Sequence, residues 1–184
     1  MLKTVPITEI TPSQYKDFVC GIPALDEYLK RYAKGNHRKN LGKTFALLLE
    51  QEVAGYYTLS MGNIEFQFIP KLWQSRLPKY PLPMARIGRL AVLSKTKGQG
   101  LGQFLLIDAL HRIWAASNTV AAYAVVVDAK DANAAAFYQH FGFVSFEDPL
   151  TLFLPLSDCE PLFTRLLPSK QPHPSSPYAL PQNA

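Results

Sequence analysis

The residues with the clearest chemical content are Lys97, Gly98, Gln99, Gly100, Leu101 and Gly102. They follow an apolar run, 87–93, that carries β-branched residues and reads as a buried strand. They precede 104–116, an apolar-rich stretch long enough for a helix. The order strand, glycine loop, helix aims backbone N–H groups and the positive end of a helix dipole at one spot. Glycine lets the main chain approach an anion closely, or turn through φ > 0, without steric cost. A pyrophosphate suits such a spot. The dinucleotide fingerprint G-x-G-x-x-G is excluded because these glycines are spaced G-x-G-x-G. A P-loop is excluded because no Gly-Lys-Ser or Gly-Lys-Thr follows. The other reading of the same residues is a plain glycine turn into a core helix.

The rest of the chain bounds what such a loop can serve. At 184 residues one domain with a sizeable core is the default. No uninterrupted apolar run approaches the roughly 18 residues of a membrane span. The N-terminal residues lack an apolar signal core, so no secretion is expected and the cytoplasm is the expected compartment. Two cysteines, Cys20 and Cys159, are too few for a disulfide framework, and no Cys/His spacing suits zinc, so no metal is expected. Charge is unevenly spread: residues 28–43 and 71–112 hold 14 of the 19 Lys and Arg, against acids that lie mostly elsewhere. A surface built from them attracts a polyanion, or it is a solvated basic face, or it serves only a phosphorylated cofactor.

The elements that would position the loop follow from spacing. An edge strand is expected over 4–10. Pro23 suits a first helical position, and Leu25, Tyr28, Leu29, Tyr32 and Ala33 fall on one helical face, with Gly35 as a stop. Strands are expected at 44–49 and 53–60, joined by a turn at Glu50, Gln51 and Glu52, with 63–68 as a possible extension. Prolines at 70, 78, 81 and 83 make an irregular loop of the kind that is often functional. After the loop and its helix come a strand at 120–127 and a short helix at 134–140, capped by Asp131 or Asp128 and stopped by Gly142. Strands at 143–146 and 151–155 close the domain, 1–167. Residues 168–184, rich in Pro and Ser, read as a disordered tail.

With this order, Arg89-Leu90-Ala91-Val92, the loop 97–102 and Phe137-Tyr138-Gln139-His140-Phe141-Gly142-Phe143 resemble the GNAT family of N-acetyltransferases. That resemblance implies an α/β (α+β) GNAT fold, with a mixed, mostly antiparallel sheet flanked by helices. It implies acetyl-CoA as cofactor, its pyrophosphate on the R/Q-x-x-G-x-G/A loop and its pantetheine arm along the strand before it. Gly100 and Gly102 match the motif, while Lys97 stands where Arg or Gln is usual, which keeps a donor but loses the fork or amide. The family's cofactor roles pass to Leu90, Ala91, Val92, Lys97, Gly98, Gln99, Gly100, Leu101, Gly102 and Phe137. A narrower resemblance rests on residues 18–33, with their Cys-Gly-x-x-x-Leu-Asp pattern, and on Gly55-Tyr56-Tyr57-Thr58-Leu59. It is to the acetyltransferase toxins of bacterial toxin–antitoxin pairs. Those toxins acetylate the α-amine of aminoacyl-tRNA and block translation. They are typically homodimers, each neutralised by a ribbon-helix-helix antitoxin.

The resemblance gives Tyr138 the role of general acid to the departing thiolate, a task a protonated phenol suits. By itself Tyr138 also reads as a core aromatic beside Phe137, Phe141 and Phe143. The base is the gap: a lysine amine must lose a proton first, whereas an α-amine, with a pKa near about 8, is already partly neutral. Glu65 is the nearest carboxylate by order, and otherwise a solvated strand end. A surround poor in acids and rich in bases suits an α-amine on a polyanion. For tRNA phosphates the candidates are Arg38, Lys39, Arg76, Lys79, Arg86 and Arg89, with Arg89 equally readable as structural. Asp131 stands where many family members carry Asn and is assigned capping, and Cys20 reads as buried. Two further readings share the fold: acetylation of a protein N-terminus or small amine, and a non-enzymatic acyl-CoA-binding module.

Overall fold

The computed structural model describes residues 2–166; the tail expected from residue 168 lies outside them. Seven strands form one sheet in the order β1-β2-β3-β4-β5-β7-β6. They are β1 (Thr4–Pro6), β2 (Lys43–Leu49), β3 (Glu52–Ile64), β4 (Leu82–Val92), β5 (Ala124–Asp128), β6 (Val144–Ser145) and β7 (Thr151–Pro155). Every neighbouring pair is antiparallel except β4–β5. A parallel pair needs a long crossover. Here the crossover is the glycine loop followed by α4 (Leu101–Ala116).

Side-chain alternation divides the core between the two faces of the sheet. On one face lie α1 (Pro23–Glu27) and α2 (Ala33–Arg38), packed through Tyr28, Leu29 and Ala33 onto Ala46, Tyr56, Ala91 and Leu93. The short α3 (Lys71–Gln74) covers the same face nearer β5 and β7, with Trp73 edge-on to Phe153. On the other face α4, α5 (Ala132–His140) and α6 (Glu160–Leu166) enclose the larger cluster, built on Leu105, Leu106, Leu110, Val125, Val127, Leu152 and Leu154. A half-buried polar network ties the edge strand to α4. Thr4 Oγ1 donates to Asp108 Oδ2 at 2.6 Å, Tyr57 donates to the same carboxylate, and Arg112 Nε meets it at 3.1 Å.

Several elements differ from the sequence reading for identifiable reasons. The edge strand stops at Pro6, where the chain turns into a 3-10 helix, Ile7–Glu9. Gly35 does not stop the first helical run, which continues to Arg38. Between α1 and α2 lies a π-helical turn, Tyr28–Tyr32, which slips the apolar stripe and leaves Tyr32 52% exposed while Leu29 stays buried. The 120–127 strand starts only at Ala124. The β2–β3 hairpin closes through Glu50 (φ 47°) and Gln51 (φ 70°), both left-handed as a type I′ turn requires. The proline-rich segment ends earlier than expected, since β4 begins at Leu82 and takes in Pro83.

The departure that shapes the site is a β-bulge. In the β3–β4 ladder Thr58 faces Arg89 and Leu59 faces Ile87, so Gly88 has no partner. One unpaired residue reverses the alternation downstream and bends the strand. Ile87 packs with the α4 cluster, whereas Arg89, two residues on, stacks over Tyr28 on the opposite face. Leu90 and Val92 therefore turn to the α4 side, and Ala91 and Leu93 to the α1 side.

Candidate active site

The bulge coincides with a split in the sheet. β4 and β5 pair from Met84↔Ala124 to Ile87↔Val127 and no further. Beyond Gly88, β4 remains bonded to β3 alone as far as Val92. The wedge that opens contains a groove of about 260 Å³. Its floor is Leu90, Ala91 and Val92. One wall is Ala134, Phe137 and Tyr138 of α5, with Lys130 before it. The other is Cys20, Ile22 and Leu25, with Lys97 and Gly102 at the end. Leu90, Ala91, Val92, Lys97, Gly102, Phe137 and Tyr138, singled out in the sequence, are thus brought together. The wall of Cys20, Ile22 and Leu25 was missed, although the Cys-Gly-x-x-x-Leu-Asp pattern marked that segment as unusual.

At the groove's end the chain passes through a 3-10 turn, Ser94–Thr96, into Gly98 (φ 81°) and Gly100 (φ 78°). Both are left-handed, and a Cβ built at either meets nothing within 4 Å, so the loop opens onto free space. Gly100 caps the 16-residue α4, whose first N–H groups face that space. Leu101 is buried beneath the helix, whereas Gln99 is exposed. A Cβ on Gly102 would lie 3.8 Å from Val92 Cγ2 and 3.9 Å from Phe137 Cζ, ordinary contacts that explain why alanine suits this position of the motif equally. The side chain of Lys97 runs back to donate to the Cys20 carbonyl at 2.7 Å. An anion cradle of left-handed glycines at a helix N-terminus, continuous with an apolar slot beside a bare strand edge, fits a ligand with a pyrophosphate end and an extended amide arm.

Tyr138 stands at the inner end of the slot on α5. That helix is fixed by Asp131, whose Oδ1 accepts from Ala134 N at 2.8 Å. Attraction to that N–H, with help from Lys130, holds the Asp131 carboxyl below its usual range, consistent with capping. Phe137 and Phe143 meet the Tyr138 ring at 5.2 and 5.5 Å between centroids. Burial, with Asp128 nearby, pushes the phenol up to about 12, so it keeps its proton at neutral pH. No buried side-chain polar atom lacks a partner among the described residues, and the phenol bonds to none of them, so its hydroxyl reaches open space.

Over the paired part of β4 and β5 lies a second cavity of about 340 Å³. Its apolar lining is Ile64, Phe68, Met84, Val126 and Phe146, and around it stand Asn63, Glu65, Glu147, Asp148 and Arg86. The sequence reading found the loop-and-strand region poor in acids; the acids here come from elsewhere, where the end of β3 and the β6–β7 connection converge. Arg86 is ion-paired with Asp128 at the fork of the split, and Arg89 lies 3.7 Å above the Tyr28 ring. Arg38 and Lys39 are exposed at the end of α2, and Arg76 and Lys79 are exposed after α3. Cys20 is buried and its thiol is pushed up, chiefly by that burial. Among the described residues no group of three His, Cys, Asp or Glu side chains is placed to hold a metal, and no helix is long and apolar enough to cross a membrane.

Comparison with known proteins gives the site its context. Residues 40–145 match the acetyltransferase (GNAT) domain. The chain is 36% identical over 146 residues to a tRNA-acetylating toxin of Mycobacterium tuberculosis, covering 79% of this chain and 87% of that one. It superposes with a TM-score of 0.80 on AtaT complexed with acetyl-methionyl-tRNAfMet, at 30% identity, covering 89% of this chain and 100% of the other. It also superposes with a TM-score of 0.72 on an AtaT mutant bound to the C-terminus of the antitoxin AtaR and acetyl-CoA, at 28% identity over 89% and 99% of the two chains. The forked sheet, its glycine loop and these likenesses agree: the chain belongs to the GNAT family of acetyltransferases.

Proposed function

We propose that this acetyltransferase moves the acetyl group of acetyl-CoA to the α-amine of an aminoacyl-tRNA and so blocks translation. The observation that carries the reading is the forked sheet, with the glycine cradle and slot at its open end and a separate cavity over the paired end of β4 and β5, which we read as the acceptor site. The 36% identity to a tRNA-acetylating toxin supports the choice of acceptor.

Acetyl-CoA supplies an acetyl group activated as a thioester. Gly98, Gln99, Gly100, Leu101 and Gly102 bind its pyrophosphate through backbone N–H groups. Leu90, Ala91 and Val92 offer their free main-chain edge to the pantetheine amides, and Phe137 packs on the arm. Tyr138 holds a proton on its phenol oxygen and gives it to the sulfur as the C–S bond breaks and the C–N bond forms. The attacking amine needs no strong base, since an α-amine near pH 7 is already partly neutral. Glu65, Glu147 and Asp148 draw the ammonium form toward the acceptor cavity and leave the medium to take the proton. Arg38, Lys39, Arg76 and Lys79 are free for tRNA phosphates, with Arg86 and Arg89 nearer the amine. The likeness to a mutant toxin whose structure is solved with its antitoxin's C-terminus supports a cognate antitoxin as partner. We further read that antitoxin as of the ribbon-helix-helix type, the toxin as a homodimer, and the cytoplasm, where charged tRNA is found, as its site of action.

The test is transfer of labelled acetyl from acetyl-CoA to charged tRNA, with uncharged tRNA, spermidine and an N-terminal peptide alongside. The expected result is label on charged tRNA, released with the amino acid by mild base. Equal turnover on spermidine would overturn the tRNA assignment, because the acid-lined cavity alone also suits a small cationic amine.

A further inference from the structure

We propose that Lys97 is a positioning residue: through the Cys20 carbonyl its ammonium latches residues 19–22 against the acetyl-CoA groove, and it does not serve as a phosphate ligand. This rests on reading that groove as the acetyl-CoA site. Lys97 Nζ donates to Cys20 O at 2.7 Å across 77 residues of sequence. A second contact from the same turn runs parallel to it, with Ser94 N donating to Val19 O at 2.8 Å. Gly21, the next residue along, has φ 89°, and a Cβ there would stand 3.6 Å from Lys97 Nζ. The strand of chain is therefore folded around the ammonium in a conformation that favours glycine.

The other side of the strap is held by α1. Cys20 N donates to Asp26 Oδ1 at 2.8 Å, and the Cys20 thiol leans on the Ile22 carbonyl at 3.7 Å. Lys97 closes this chain of contacts onto the glycine loop. What it secures is the wall made by Cys20, Ile22 and Leu25, which faces Phe137 across the slot. Cys20 is buried in the α1-side core and Ile22 and Leu25 pack against it, but Val19 and Gly21 on either side of Cys20 are exposed, so the main chain of the strap is fixed by these hydrogen bonds rather than by burial of its neighbours. The anion end has no matching need of the lysine. The left-handed Gly98 and Gly100 and the N-terminus of the 16-residue α4 already present backbone donors there. An ammonium–carbonyl bond is charge-assisted and short, as observed. The family's first motif position would then act here by shaping the arm's wall, and lysine in place of arginine or glutamine keeps the one donor that the wall requires.

The two roles separate on a thioester that lacks the pyrophosphate. Steady-state constants are measured with acetyl-CoA and with acetyl-pantetheine for the wild type, Lys97→Met and Lys97→Arg, together with hydrogen exchange of peptides spanning 18–27 in the absence of any thioester. Lys97→Met keeps the chain length and removes the donor. It is expected to raise KM for both thioesters by the same factor, about tenfold for one charge-assisted bond. It should also speed exchange in 18–27 while the rest of the molecule keeps its protection. Lys97→Arg is expected to recover most of both effects. A KM increase confined to acetyl-CoA, or unchanged exchange in 18–27, overturns the latch in favour of a phosphate contact. A wild-type protein that uses neither thioester overturns the groove assignment itself, and the latch with it.

Discussion

Replacing Tyr138 with phenylalanine isolates one oxygen atom. The ring stays against Phe137 and Phe143 at 5.2 and 5.5 Å, and the hydroxyl that is lost bonds to no described residue, so no buried partner is orphaned. The expected change in folding stability is within about 0.5 kcal/mol, and the far-UV spectrum and thermal midpoint should hardly move. Catalysis should respond very differently. A positioned general acid contributes roughly 10²–10⁴ in rate, or about 3–5 kcal/mol of barrier, so kcat should fall by that factor while KM for acetyl-CoA stays near the wild-type value. The pH profile carries the sign. The phenol acts in its protonated form, and burial pushes it up to about 12. Wild-type activity should therefore rise as the acceptor amine loses its proton and then stay level, with no descending limb near pH 10, where an unperturbed tyrosine would ionise. The measurement is single-turnover transfer of labelled acetyl to a base-stable aminoacyl amide at fixed ionic strength from pH 6 to 10.5. Retention of kcat within threefold in Tyr138→Phe would refute the general-acid role and return the residue to packing alone.

Two other substitutions probe the frame around that atom. Arg86→Ala removes the ion pair with Asp128 at the fork; with 33% and 52% of the two side chains exposed, the stability cost should stay under about 1 kcal/mol. The same change should raise KM for charged tRNA and flatten its dependence on salt by about one unit of slope, with KM for acetyl-CoA unchanged, as read by titrating KCl. Gly55→Ala places a Cβ 2.7 Å from Leu105 Cδ1 and 2.8 Å from the Ala91 carbonyl, so either β3 or the stretch of β4 that floors the groove must shift. It is expected to cost about 1–3 kcal/mol and lower the thermal midpoint by about 2–10 °C in calorimetry, with weaker acetyl-CoA binding as a companion effect. An unchanged midpoint would show that the two strands are less tightly coupled than their contacts imply.

The sequence made the centre of the site legible and left its surroundings obscure, for physical reasons. Gly98 and Gly100 could be read because a left-handed turn open to space favours their residue type, and α4 because an apolar-rich stretch there is long enough for a helix. Gly88 could not: one glycine in an apolar run looks tolerated, and only its missing partner in the ladder shows that it reverses the faces of β4. The π-turn at Tyr28–Tyr32 escaped because the apolar spacing on either side continues as if the helix were regular. The second cavity gathers Glu65 with Glu147 and Asp148 from distant parts of the chain, and no local pattern announces that meeting. Lys97 and Cys20 are hidden in the same way, each legible as a type but not as a pair.

Sheets usually end in exposed strands whose unpaired amides invite any passing strand, and proteins blunt those margins with charge, prolines or coverings. The split between β4 and β5 relocates such a margin to the middle of the sheet. From Gly88 to Val92 the main chain of β4 has a free side that faces the interior of the wedge. α5 flanks that side, and its Phe137 and Tyr138 line the gap. The same unpaired groups that would be an aggregation hazard at the rim thus lie inside a groove beside a helix, where they are open to a ligand rather than to a neighbouring sheet.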